Sequence, residues 1–209
     1  MFKDKISKEL VRERMAYPYE IKVRMTECRL SEFITYYGES GVAVSISGGL
    51  DSTAAMHFIH ARYPDVEAVS VLGIECRDNI KMVMKIRDEW GVKVNIAAPK
   101  MTQEAVIKEF GYPVVSKRAA KSLSYLQNPT EENANSRRLA LTGITNEGKY
   151  AKTWVLAKKW RFLIDAPFKI SAKCCYYMKE TAADNWAKEN GKASIVATLV
   201  EESQSRMNG

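Results

Sequence analysis

Val42-Ala43-Val44-Ser45-Ile46-Ser47-Gly48-Gly49-Leu50-Asp51-Ser52-Thr53 decides the fold of this 209-residue chain. The stretch opens as a β-rich apolar run, crosses two glycines and enters a helical pattern, Ala54-Ala55-Met56-His57-Phe58-Ile59. A strand, a glycine turn and a helix in succession present backbone N–H groups and a helix N-terminus, the arrangement that receives an anion. Gly48 and Gly49 permit a positive φ and a close approach of a phosphate. Ser45, Ser47, Ser52 and Thr53 add hydroxyl donors, and Ser52 or Thr53 is a candidate helix cap.

Two common phosphate loops are excluded. The P-loop needs Gly, four residues and Gly-Lys-Ser/Thr, and no lysine stands here. The G-x-G-x-x-G spacing of dinucleotide sites is also absent. A carboxylate, Asp51, sits instead where phosphates would arrive. It would repel them unless a Mg²⁺ lay between, since Mg²⁺ takes one or two carboxylates together with phosphate oxygens. The plain alternative is an ordinary strand–turn–helix, with glycine for the turn and aspartate for the cap. The full Ser47-Gly48-Gly49-Leu50-Asp51-Ser52 at a strand end resembles the Ser-Gly-Gly-x-Asp-Ser signature of the pyrophosphate loop (PP-loop) of the N-type ATP pyrophosphatases. That superfamily holds adenylating sulfurtransferases and amidotransferases and the phosphoadenosine phosphosulfate (PAPS) reductase-like proteins.

Outward from the loop, the pattern alternates. Residues 1 to 16 read as a short charged helix that Pro18 interrupts, and residues 19 to 37 as a helix with a broad apolar face, on which Cys28 is expected to be a small core residue. Val66 to Ile74 suits a buried parallel strand. Glu75 to Trp90 returns to helical spacing with Gly91 as its cap, Val92 to Ile96 is a third strand, and Thr102 to Phe110 a short helix. This order predicts an α/β fold, a doubly wound, mostly parallel, Rossmann-like sheet. The expected organisation is one domain over residues 1 to 209: a nucleotide-binding core at 19–111, a helical and loop insertion at 112–160, and a Cys-Cys segment with the final strand at 161–209. Ligands of such sheets lie beyond the carboxyl ends of the strands. Gly73 and Ile74, at the end of the second strand, would then flank the base of a nucleotide, or simply form a strand-to-helix turn. His57 and His60 share a helix face and read as packing or surface residues.

Composition sets the class. A net charge of +7 suggests an anionic ligand, nucleotide or nucleic acid. The charged N-terminus has no apolar core of a signal peptide, no run reaches a membrane span, and four cysteines read as thiols or ligands before disulfides. A cytoplasmic protein with no membrane partner is expected; a homo-oligomer is left open.

A second stretch, Trp160 to Lys179, is dense in reactive side chains, with Lys169, Lys173, Cys174, Cys175 and Lys179. Adjacent cysteines seldom bond to each other. The lysines are expected to favour thiolates, with Lys169 one helical turn before Lys173 if the segment is helical, and thiolates are what sulfur transfer or an iron–sulfur cluster needs. The alternative is a pair of buried core cysteines. Cys28 and Cys76 read as bystanders.

Further resemblance rests on Gly111-Tyr112-Pro113-Val114-Val115-Ser116-Lys117, Lys159-Trp160-Arg161-Phe162-Leu163, Ala166-Pro167-Phe168-Lys169-Ile170-Ser171 and Lys173-Cys174-Cys175, which look like a PAPS reductase-family group of bacterial and phage genomes. Thr198 to Arg206 looks like that group's Glu-Ser-x-x-x-Arg segment, and the Cys-Cys pair resembles half of the four-cysteine cluster motif of adenylylsulfate reductases. The resemblance implies ATP or a PAPS-like adenine nucleotide with Mg²⁺ as ligands. It implies catalysis through Asp51, Lys173, Cys174 and Cys175, and binding through residues 45 and 47 to 53, Gly73, Ile74, Lys117, Lys169 and Arg206. Cys174 and Cys175 would be a partial iron–sulfur site, and the acceptor a nucleic acid or a sulfur carrier. Ala172 stands where the group has Asp, and the group's further Gly-Cys element has no counterpart in residues 1 to 209. Two readings follow: an enzyme that cleaves a nucleotide at its α-phosphate, or a non-catalytic nucleotide- or nucleic-acid-binding subunit of a modification or defence system.

Overall fold

The structure is a computed structural model that describes residues 7–71 and 75–198. It divides into two compact units, Met1–Ala98 with Ala183–Gly209, and Pro99–Ala182.

The first unit holds a four-stranded sheet in the order β3-β2-β1-β4, with β1 Val42–Ser45, β2 Glu67–Val71, β3 Val94–Ala97 and β4 Ala193–Val196. All three pairings are parallel. Helices α1 (Lys8–Ala16), α2 (Tyr19–Tyr37), α3 (Leu50–His60) and α4 (Arg77–Asp88) come from the first part of the chain, and α8 (Thr181–Glu189) leads into β4. The α/β class and the parallel sheet are those the sequence predicts. Val42, Ala43 and Val44 are wholly buried, which is why β1 reads as a continuous apolar run. Val42, Val44, Ile46, Met56, Ile59, Val83 and Ile86 form the core of this unit. At roughly 1.5–3 kcal/mol for each large side chain fully buried, this core holds α3 and α4 against the sheet.

Helix α2 spans Tyr19–Tyr37 as expected, closed by Gly38 at φ 75°. Its apolar face is only partly covered: Ile34 is buried, whereas Ile21 and Cys28 are exposed. Cys28 is therefore not a core residue. The face it shares is wider than the surface available to cover it.

At the amino end of the sheet, Glu67 is buried and collects three donors. Lys192 pairs with it, Lys93 Nζ lies at 2.8 Å and Asn95 Nδ2 at 3.0 Å. Lys192 also donates to the Ser40 carbonyl at 2.5 Å. Lys93 and Lys192 immediately precede or approach β3 and β4, so one carboxylate fixes the entry of both outer strands beside β2. Burial alone would push the Glu67 carboxyl up; hydrogen bonds from Lys192, Lys93 and Asn95 outweigh it and hold the pKa at about 2.

The second unit contains α5 (Gln103–Phe110), α6 (Lys117–Gln127), α7 (Ala134–Thr142), 3₁₀ turns at Lys152–Trp154 and Lys158–Asp165, and a π-helical turn at Tyr176–Glu180. Ala120, Leu123, Leu156 and Ile170 form its own core. The unit begins earlier than the insertion predicted at 112 and includes the Cys-Cys segment. Thr102 and Ser116 cap α5 and α6 by accepting from the amides of Ala105 and Ala119 at 3.2 Å each. Val115, just before the second cap, has φ 66°, a left-handed conformation that is rare for a β-branched residue.

Candidate functional site

The loop of residues 45–53 lies at the carboxyl end of β1, where the strand order reverses. From β1 the chain moves to β2 and β3 on one side, and β4 returns on the other. A crevice outside the strand ends at such a reversal is where open parallel sheets bind ligands. Ser45 is in register with Val69 on β2 and Val196 on β4, so β4 ends level with it and β2 runs two residues further, to Val71.

Hydrogen bonds within the loop shape the turn, among them a 3.3 Å contact between the Ser47 and Ser52 hydroxyls. The Ser47 amide donates to Ser52 Oγ at 3.2 Å, the Gly49 amide to Ser47 Oγ at 3.3 Å, and Ser52 Oγ donates to the Gly49 carbonyl at 3.1 Å. Ser52 is buried. Its hydroxyl thus staples the loop to the first turn of α3 and is not a free donor for a ligand, which corrects its expected part. Neither Ser52 nor Thr53 caps the helix. Gly49 is the N-cap, without any side-chain cap bond, because α3 begins at Leu50, ahead of both hydroxyl residues. Thr53 Oγ1 is buried with no hydrogen-bond partner among the described residues. The first intrahelical bond to form is from the Thr53 amide to the Gly49 carbonyl, at 3.0 Å. The amides of Leu50, Asp51 and Ser52 precede it and have no acceptor within the helix. They carry the positive end of the α3 dipole.

Gly48 has φ 73°, and a Cβ there would overlap the backbone carbonyl of Asn79 in the first turn of α4. Sequence reading predicts the need for glycine but not Asn79, which is thirty-one residues on and carries no local motif. Asp51 is exposed in the first turn of α3 and makes no ion pair or hydrogen bond among the described residues. An exposed, uncommitted carboxylate among outward-facing amides fits a hydrated Mg²⁺ shared with phosphate oxygens. Leu50 is 85% exposed, an apolar side chain left uncovered at the mouth of the loop. Gly73, Ile74 and Arg206 lie outside the described residues.

His57 and His60 pack on Trp90, as expected of packing residues: the His57 ring meets the indole edge-on at 5.3 Å, and His60 Nε2 lies 2.9 Å from the Trp90 carbonyl.

In the second unit the Cys-Cys segment departs from expectation. Lys169 is not one helical turn before Lys173. Ile170 bridges Tyr112, the Tyr112 amide donates to the Lys169 carbonyl at 2.9 Å, and helical structure begins only at Cys174. Lys169 Nζ lies 3.4 Å from the Glu109 carbonyl. Lys173 Nζ stands 4.6 Å over the Phe110 ring, whose other partner is a stacked Tyr177 at 4.4 Å. Lys117 pairs with Glu180 at 3.1 Å.

Cys174 is buried, and burial pushes its thiol up; neighbouring Cys175 adds to this, and Lys179 only partly opposes it. It is not the low-pKa thiolate that the nearby lysines suggest, since Lys173 and Lys169 are engaged elsewhere. Cys175 is half-buried, and Cys28 and Cys76, in the other unit, are exposed. Among the described residues no group of three or more His, Cys, Asp or Glu could hold a metal ion. A buried thiol with a raised pKa does not fit a cluster ligand. Mass-spectrometric mapping after brief alkylation near neutral pH is expected to find Cys28 and Cys76 modified first and Cys174 only after denaturation. Labelling of Cys174 as fast as Cys28 would contradict its burial.

Compared with known proteins, the chain matches no family model, no curated relative and no solved structure. No described helix is long and apolar enough to cross a membrane.

Proposed function

We propose that the loop of residues 45–53 binds the phosphates of an adenine nucleotide, and that the chain cleaves it at the α-phosphate in the manner of the PP-loop proteins its signature resembles. The observation that carries this reading is Gly48: its positive φ and its contact with Asn79 hold the loop amides open at the reversal of strand order. The amides of Leu50, Asp51 and Ser52 would hold phosphate oxygens, and Asp51 would hold Mg²⁺, which neutralises phosphate charge. With ATP, an acceptor oxygen or sulfur attacks the α-phosphorus, the bond to the β-phosphate oxygen breaks, and pyrophosphate leaves with the bonding electrons. The loop amides stabilise the charge that develops there. The same loop would receive the phosphates of PAPS, whose reduction to sulfite would draw two electrons from an external thiol reductant.

A non-catalytic nucleotide-binding subunit is the second reading. It is favoured by Cys174, whose buried thiol is poorly suited to deliver sulfur, and by Ala172.

Exchange of labelled pyrophosphate into ATP, with and without acceptor candidates, distinguishes the two. Asp51→Ala is expected to weaken Mg²⁺-dependent ATP binding by roughly tenfold or more, the loss that even outer partners of a metal site produce. Calorimetry showing unchanged affinity and unchanged Mg²⁺ dependence would remove the assignment.

A further inference from the structure

We propose that Pro99–Ala182 binds single-stranded nucleic acid on the surface formed by α6 and the 152–158 segment, with Trp154 as a stacking platform and Arg118 and Lys121 on the phosphates. The proposal rests on the second unit alone and does not depend on nucleotide cleavage at the loop.

The first observation is where the charge lies. Residues 99–182 hold fifteen lysines and arginines against seven carboxylates, whereas the remainder of the chain holds seventeen against eighteen. The whole basic excess therefore belongs to this unit. Such a concentration on one body is the electrostatic footprint of a polyanion partner.

The second observation is local. Trp154 is 51% exposed and borders two cavities of about 100 and 120 Å³, one on either side of a shared rim containing Arg118 and Ser122. Lys121 and Tyr125 line the first, Val115 and Trp160 the second, and no carboxylate lines either. The strained Val115 backbone is thus part of the second wall. Such strain persists only where the surroundings enforce it.

The third observation is that the cations here are uncommitted. Lys117 and Lys149 pair with Glu180 and Glu147. Arg118 and Lys121, one turn apart on α6, are exposed and make no ion pair or hydrogen bond among the described residues. Lys152, on the turn that carries Trp154, and Lys158, next to the second cavity's Ala157, are exposed likewise. An indole standing between two recesses and ringed by free cations matches what unpaired bases and their backbone require: a flat face to stack on and positive charge alongside. A duplex hides its base faces, and an acidic protein has no use for the platform.

The test is fluorescence anisotropy of the full chain with short labelled oligo(dT) and oligo(U), with a duplex of the same length and polyglutamate as competitors. Both oligonucleotides are expected to bind and to quench tryptophan emission. Trp154→Ala should weaken binding roughly tenfold or more, as loss of one stacked base does, and Trp154→Phe should restore most of it. Replacing Arg118 and Lys121 together by Gln should reduce the slope of log K against log salt by about 1.4, about 0.7 for each phosphate contact. Far-UV circular dichroism checks each variant's fold; the double Gln variant, altered only at exposed side chains, keeps the test decisive if Trp154→Ala does not fold. Absence of binding at low salt, an unchanged salt slope, Trp154→Ala binding as wild type, or equal competition by duplex or polyglutamate would each overturn the proposal.

Discussion

Gly48→Ala is expected to destabilise the chain by roughly 3 kcal/mol and to abolish the ATP binding proposed for the loop. Two costs add. A non-glycine residue at φ 73° pays about 1–2 kcal/mol for its left-handed backbone. The new Cβ also meets the Asn79 backbone carbonyl, which no rotamer change can move, and such overpacking typically costs about 1–3 kcal/mol. Relief requires α4 to shift from the loop, turning the amides of residues 50–52 away from one focus. Gly49→Ala is the control. Gly49 has φ −75°, and its Cβ would lie 3.3 Å from Ser47 Oγ, a side chain able to rotate. It should cost less than about 1 kcal/mol. Urea midpoints for the two variants check the contrast; equal midpoints would show that Gly48 carries no special constraint.

Glu67→Ala is the second large effect, an expected loss of about 3–5 kcal/mol, because Lys192, only 15% exposed, is left without its carboxylate. Glu67→Gln should cost less, since its amide oxygen still accepts one hydrogen bond. The pH dependence has a definite sign. The carboxyl pKa is lowered from the usual 4.5 to about 2 on folding. Its contribution is therefore fully present above about pH 4.5 and is lost as pH falls toward 2. A shift of that size corresponds to about 3 kcal/mol at most, and exposure of Lys93, at 76%, reduces its share. Urea midpoints measured at neutral pH and near pH 3 should converge for wild type and Glu67→Gln on the acid side. A gap that stays constant with pH would mean that the carboxylate's charge is not what holds the strand entries.

The parts of the fold legible in the sequence are those governed by neighbours along the chain. Pro18 and Gly38 fix the bounds of α2, and Thr102 the start of α5, because proline, positive-φ glycine and capping hydroxyls act within a few residues. The strand, glycine turn and helix of the loop are legible for the same reason. The loop's internal wiring is not: Ser52 turned out to brace Ser47 and Gly49 rather than to cap, a choice set by where α3 begins. Longer contacts leave no local trace. Lys169 and Lys173 look helically spaced, but Tyr112, far upstream, bridges Ile170 and donates to the Lys169 carbonyl, which holds the segment extended. Cys28 belongs to an apolar stripe that none of the described residues covers at that point. Trp154 follows the run Lys149-Tyr150-Ala151-Lys152-Thr153, whose alternation of basic and aromatic residues has no local motif to mark which ring is exposed.

The place of β4 beside β1 has a consequence in time. Val42 pairs with Ala193, about 150 residues later. At the roughly 5–20 residues per second of protein synthesis, the loop waits some 8–30 s on the ribosome for one wall of its crevice. During that interval β1 is an edge strand. Its Val42, Ala43 and Val44, wholly buried in the finished sheet, then have one unpaired flank that invites misjoining with other nascent chains. Closing so long a loop is also the slowest class of pairing. The Lys192–Glu67 ion pair stands just ahead of β4, at the point where that late strand enters the sheet.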